Sequence, residues 1–190
     1  MLFRSEITIK ENIKWENDLE GEIIADFNDT VELSFFSPFF LKEFNNLECR
    51  KINVFLSGIA DSISIADDTE TIISEGPFYE IQLNEFLSKN PGKTRDDFKP
   101  IRISMKGASI LLSTEYSSYF TFRGEIQSIE TLEFLNNEIL RFKVCLVKPD
   151  DKELNIYIYV SKNRVKHNEL KIGTDIQGVV MLRGYIDYKI

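Results

Sequence analysis

Four strand-like runs fill the last third of the chain: YFTFRGEIQSI (119–129), ILRFKVCLV (139–147), ELNIYIYVS (153–161) and IQGVVMLRGYI (176–186). Glycines interrupt the first and the last. Alternation at period two puts Phe120, Phe122, Gly124 and Ile126 on one face of the first run, and Ile176, Gly178, Val180, Leu182, Gly184 and Ile186 on one face of the last. A glycine has nothing to bury, so its place on an apolar face needs a reason. It lets the strand bend sharply and leaves room for a large side chain from an opposite wall. Phe142, Phe120 and Phe122 are the candidate fillers. Short strands bent at glycine, with KPDDK marking the hairpin between the middle two, predict a small antiparallel β-barrel over residues 119–190. IGTDIQG is not a phosphate loop, because it lacks the Gly-Lys-Ser/Thr ending and leads into a strand where a helix is required. Gly173 reads instead as a tight turn with positive φ.

Upstream, LFRSEITIK, EIIADF and VELSFF read as strands. SPFFLKEFNN changes period: Ser37 stands at an N-cap, Pro38 at the first helical position, and Phe40, Phe44 and Leu47 follow at helical spacing. Residues 52–65 return to alternation. A second short helix is expected around QLNEFLSKN, stopped by Pro91 and Gly92. KPIRISMKGASILLST reads as a hairpin turning near Lys106 and Gly107. The expected fold class is therefore α+β and β-rich: the C-terminal barrel preceded by an acidic region of strands with two short helices. The division falls at 1–118 and 119–190, or the two parts form one integrated domain. Over residues 119–190 the coiled, glycine-bent strands resemble the OB-fold in outline, a likeness of strand pattern that supplies no function.

Charge is distributed unevenly. Residues 1–118 hold 12 Lys and Arg against 21 Asp and Glu, whereas residues 119–190 hold 11 against 10, within a total of −8. That balance opposes indiscriminate binding to nucleic acid or anionic membranes. No apolar run reaches the roughly 18 residues of a membrane helix, and MLFRSEITIK lacks a signal peptide's apolar stretch, so a cytoplasmic location is expected. Cys49 and Cys145 lie far apart without CxxC spacing and are expected to be buried free thiols.

Once the inner positions are assigned, the outer face of the last third carries Tyr119, Thr121, Arg123, Arg141, Lys143, Asn155, Tyr157, Tyr159, Arg183 and Tyr185. Tyr157, Tyr159, Arg141, Lys143, Arg123, Arg183 and Tyr185 are the candidate binding residues. Aromatic rings interleaved with cations suit single-stranded nucleic acid, where bases stack and phosphates are neutralised. They equally suit a protein interface, or cross-strand pairs covered by the acidic part.

Catalytic chemistry finds little support. The one histidine, His167, sits in the polar turn NRVKHNEL, away from any ligand-spaced partner. The carboxylate groups Asp67, Asp68 and Glu70, Asp96 and Asp97, and Asp150 and Asp151 do not follow the calcium-loop pattern and read as caps or solvated turns. No catalytic residue, metal or cofactor is assigned. The expected function is a non-enzymatic cytoplasmic interaction protein, an inhibitor, immunity-type or adaptor protein engaging a basic protein partner. The alternatives are a single-stranded nucleic-acid-binding OB-like module and a carboxylate-dependent enzyme.

Overall fold

The computed structural model describes residues 3–40, 50–67, 70–149, 152–166 and 170–187. The chain forms two compact units, residues 1–66 with 107–190, and residues 67–106. The first contains β1 (Arg4–Lys14), β2 (Gly21–Phe27), β3 (Val31–Ser37), β4 (Lys51–Ile65), β7 (Ile110–Ser113), β8 (Tyr119–Phe134), β9 (Asn137–Val147), β10 (Leu154–Ser161) and β11 (Asp175–Ile186) in one mixed sheet. The second holds β5 (Glu70–Ile73), α1 (Pro77–Lys89) and β6 (Ile101–Ser104).

The sheet of the first unit is built from two copies of one connectivity. β1, β2 and β3 form an antiparallel meander, and so do β8, β9 and β10. The first strand of each takes its own fourth strand antiparallel, β1 with β4 (Arg4 opposite Phe55) and β8 with β11 (Glu125 opposite Asp175). The third strand of each is met in parallel by the fourth strand of the other, β3 by β11 (Phe36 opposite Arg183) and β10 by β4 (Tyr157 opposite Ser57). β4 and β11 themselves pair antiparallel from Ile65 opposite Ile176 to Val54 opposite Ile186. Eight strands thus form a ring that the β4–β11 ribbon crosses. The two crossing strands carry the same motif, Val-x-Leu-x-Gly, at Val54, Leu56 and Gly58 and again at Val180, Leu182 and Gly184, all six buried. Identical inward residues on the shared strands suit the two halves to the same packing.

This topology corrects the expected C-terminal barrel. β8, β9, β10 and β11 do not close on one another, because β4 from the first third of the chain lies between β10 and β11. The register followed from Tyr119 on β8 passes to Met181, Ile59, Tyr159 and Arg141 and returns to β8 at Glu130. Such a stagger means steeply inclined strands. Periodicity assigns faces correctly here but is silent on which strand lies beside which.

The inner faces are as expected. Phe120, Phe122, Ile126, Phe142, Ile176, Val180 and Leu182 are buried in one core with Ile7, Ile23 and Phe35 from the first meander and Leu56 from β4. The glycines occupy places where other groups come close. A Cβ on Gly184 would lie 2.5 Å from Phe35, and one on Gly124 would lie 2.5 Å from Val144 and 2.7 Å from the Cys145 carbonyl. Beside Gly178 the neighbours are the Ser62 carbonyl and Phe122. Phe122 is thus a filler as expected, whereas Gly184 accommodates Phe35 from β3. Leu135 and Asn136, both with positive φ, make the two-residue turn from β8 to β9.

In the second unit, α1 begins at Pro77, whose fixed φ suits the first helical position, and so starts earlier than the periodicity around QLNEFLSKN suggested. It ends at Asn90 before Pro91 and Gly92. Tyr79 and Phe86 both pack on Phe98, with ring centroids 5.2 Å apart in each case. The expected β6–β7 hairpin does not form: β6 pairs with β5, and β7 pairs with β8. The other expected helix, including Phe44 and Leu47, falls mainly on residues 41–49, outside the described residues. Ser37 ends β3, and its Oγ accepts the Phe39 N–H at 3.3 Å.

Candidate interaction face

The outer sides of β9, β10, β4, β11 and β3 carry one lateral row: Lys143, Tyr157, Ser57, Arg183 and Phe36, each opposite the next. Aromatic rings and cations are layered along it. The Arg141 guanidinium lies 4.4 Å from the Tyr157 ring centroid, Phe3 packs against Tyr157 at 4.9 Å, and Lys143 lies 4.9 Å from the Phe3 ring. Arg183 lies 5.0 Å from the Phe36 ring, which also meets Trp15. Tyr185 packs on Phe55 at 5.3 Å. Arg141 also donates to Tyr159 and to Glu130; the bond to Tyr159 is the main reason its pKa is raised, burial opposes it, and Glu130 adds to it. Tyr157, Tyr159, Arg141, Lys143, Arg183 and Tyr185 are therefore half-buried in contacts within the chain. The Arg183 Nε is buried and makes no hydrogen bond among the described residues.

Arg123 does not belong to that face. It is 7% exposed, and its guanidinium reaches the Asp175 carboxylate at 3.3 Å. The Asp175 carboxylate also accepts the Gly107 N–H at 2.7 Å, while its backbone carbonyl accepts the Ala66 N–H at 2.8 Å. One residue thus holds the chain on both sides of residues 67–106. A cation that periodicity aimed at solvent is instead buried against the carboxylate that also holds the Gly107 amide.

Beside the aromatic row stands an apolar one. Tyr119, Val179 and Ile59 are exposed on β8, β11 and β4, with half-buried Met181 opposite both Tyr119 and Ile59. Thr121 lies between Val179 and Leu112 of β7, and Leu112 is 60% exposed. Tyr116 meets Tyr119 edge-on. Periodicity named Tyr119 and Thr121. It passed over Ile59 and Leu112 because their strands had not been placed beside β11 and β8.

Glu22, buried on β2, accepts hydrogen bonds from the Ser117 and Ser118 hydroxyls, and the Ser118 N–H donates to Ser34 Oγ at 3.0 Å. These bonds fasten the turn before β8 onto β2 and β3. Nothing in GEIIADF distinguishes this carboxylate from a surface one. Asp97 accepts the Thr94 N–H at 2.9 Å and caps a 3-10 turn, which with Lys93 lowers its pKa. Cys145 is a buried free thiol whose pKa burial raises. Cys49, Asp68, Asp150, Asp151 and His167 lie outside the described residues. Among the described residues no helix is long and apolar enough to cross a membrane. A cavity of about 390 Å³ beside β1 is lined by charges of both signs, including Arg4, Lys51, Lys152, Glu6, Asp26 and Asp29.

Comparison of the chain with protein-family models, curated proteins and solved structures found no match.

Proposed function

We propose that the protein is a non-enzymatic interaction protein, of inhibitor or adaptor type, that holds a basic protein partner on the outer face of β8, β11 and β4. The observation that carries this reading is the exposed apolar row of Tyr119, Val179 and Ile59, continued by Leu112. Apolar side chains adjacent across several strands form a patch, which scattered surface residues do not. The net charge of −8 gives the partner its sign, since it attracts a basic protein and repels a polyanion. A protein is favoured over a nucleic-acid strand because the rings of Tyr157 and Phe36 already carry Arg141 and Arg183, where bases would have to stack. A cytoplasmic location belongs to the same reading, as it keeps a thiol such as Cys145 reduced.

The test passes a nuclease-treated native lysate over the immobilised chain and over an Ile59→Asp, Val179→Asp variant with unchanged urea midpoint. The reading expects a basic protein retained by the first, released by salt and not retained by the second. Equal retention by both, or retention abolished by the nuclease, refutes it.

A further inference from the structure

We infer that β7 is a docking edge to which an extended, basic segment of the partner adds as a further antiparallel strand. This rests on the proposed function and names the form of its ligand. β7 is the terminal strand of the nine-stranded order, with β8 on one side. Its hydrogen-bonding phase follows from its end, where the Thr114 N–H donates to the Tyr119 carbonyl at 3.1 Å. Hydrogen-bonded and non-bonded pairs alternate along an antiparallel ladder. The pairs Leu112 with Thr121 and Ile110 with Arg123 are therefore the bonded ones. The N–H and C=O groups of Leu111 and Ser113 consequently point away from β8, and no bond to them occurs among the described residues. Such a row is a template for another strand.

The surroundings say which strand. An added segment would lie beside Leu112 and extend the apolar row, so alternate side chains should be apolar. Glu115 and Glu125 are exposed on either side of β7 and its partner stretch of β8 and form no ion pair among the described residues. Arg123, opposite Ile110 of β7, is engaged by Asp175. Lys or Arg in the added strand would meet the two free carboxylates. A second copy of the chain is the poorer occupant, because it brings its own −8 to the same edge.

The experiment titrates a blocked octapeptide of alternating valine and lysine into the ¹⁵N-labelled full chain. Slowed amide exchange at Leu111 and Ser113, binding that weakens with salt, and no binding of the valine–glutamate counterpart are expected. Ser113→Pro removes an outward N–H without touching the β8 ladder, and should weaken binding about tenfold with an unchanged urea midpoint. Should that variant unfold, Glu115→Gln with Glu125→Gln provides the second measurement and should weaken binding about threefold. Equal binding of the valine–glutamate peptide, undiminished affinity in the variants, or a peptide-free dimer protecting the same amides overturns the inference. Shifts at Ile59 and Val179 with Leu111 and Ser113 unmoved overturn strand addition while leaving the docking face standing.

Discussion

Gly184→Ala tests the packing of the crossing ribbon with a single methyl group. The new Cβ would sit 2.5 and 2.6 Å from Phe35 Cδ2 and Cε2 and 2.9 Å from Leu56 Cδ2. All three distances are shorter than side-chain carbons adopt, and neither Phe35 nor Leu56 reaches solvent, so the ring cannot swing outward. Overpacking of this kind costs about 1–3 kcal/mol, against which replacing a strand glycine returns about 0.5–1 kcal/mol through the unfolded chain. A net loss of about 1–2 kcal/mol is expected, read as a lower urea midpoint at unchanged slope. Crowding also predicts coupling. Phe35→Leu alone opens space and destabilises, but in its presence Gly184→Ala should cost about 1 kcal/mol less than in its absence. An unchanged midpoint in Gly184→Ala, or strict additivity in the double mutant, would refute the assignment of this glycine to close packing.

Three further expectations follow from burial and charge. Tyr157→Ala with Tyr159→Ala removes the supports of Phe3 and Arg141 and should lower unfolding free energy by about 3 kcal/mol or more, whereas a freely exposed pair would be silent. Asp175→Asn removes the carboxylate that faces the buried Arg123 guanidinium, so chemical denaturation should show a loss of about 3–5 kcal/mol, and Arg123→Met with Asp175→Leu should recover much of it. Cys145 should react slowly with iodoacetate near pH 8, because burial holds its pKa above that of a free thiol; the unfolded thiol ionises first, so this group's contribution to stability is lost as pH rises past the unfolded value, and rapid native labelling at pH 8 would contradict it.

Much of the local structure was legible because it depends on spacing alone. Period two placed Phe120, Phe122, Ile176 and Val180 inward, the break at Pro91 and Gly92 ended a helix, and KPDDK marked a hairpin. What spacing does not encode is the partner across the sheet. Phe35 and Gly184 meet although nearly 150 residues separate them, and only the exchange of β4 and β11 between the meanders makes that contact. The candidate site was divided in the same way. Its tyrosines and arginines could be named from alternation, but Ile59 and Leu112 join Val179 and Thr121 only after β4 and β7 are set beside β11 and β8. Arg123 shows the converse, an outward position by period that is buried against Asp175. The repeated Val-x-Leu-x-Gly carries the remaining link. Each meander lacks a wall that only the other's fourth strand supplies, so neither half has a complete core by itself. The ring should therefore unfold as one cooperative unit, with urea transitions coincident for probes in β2 and in β9; separated transitions would show that the exchange does not bind the halves together.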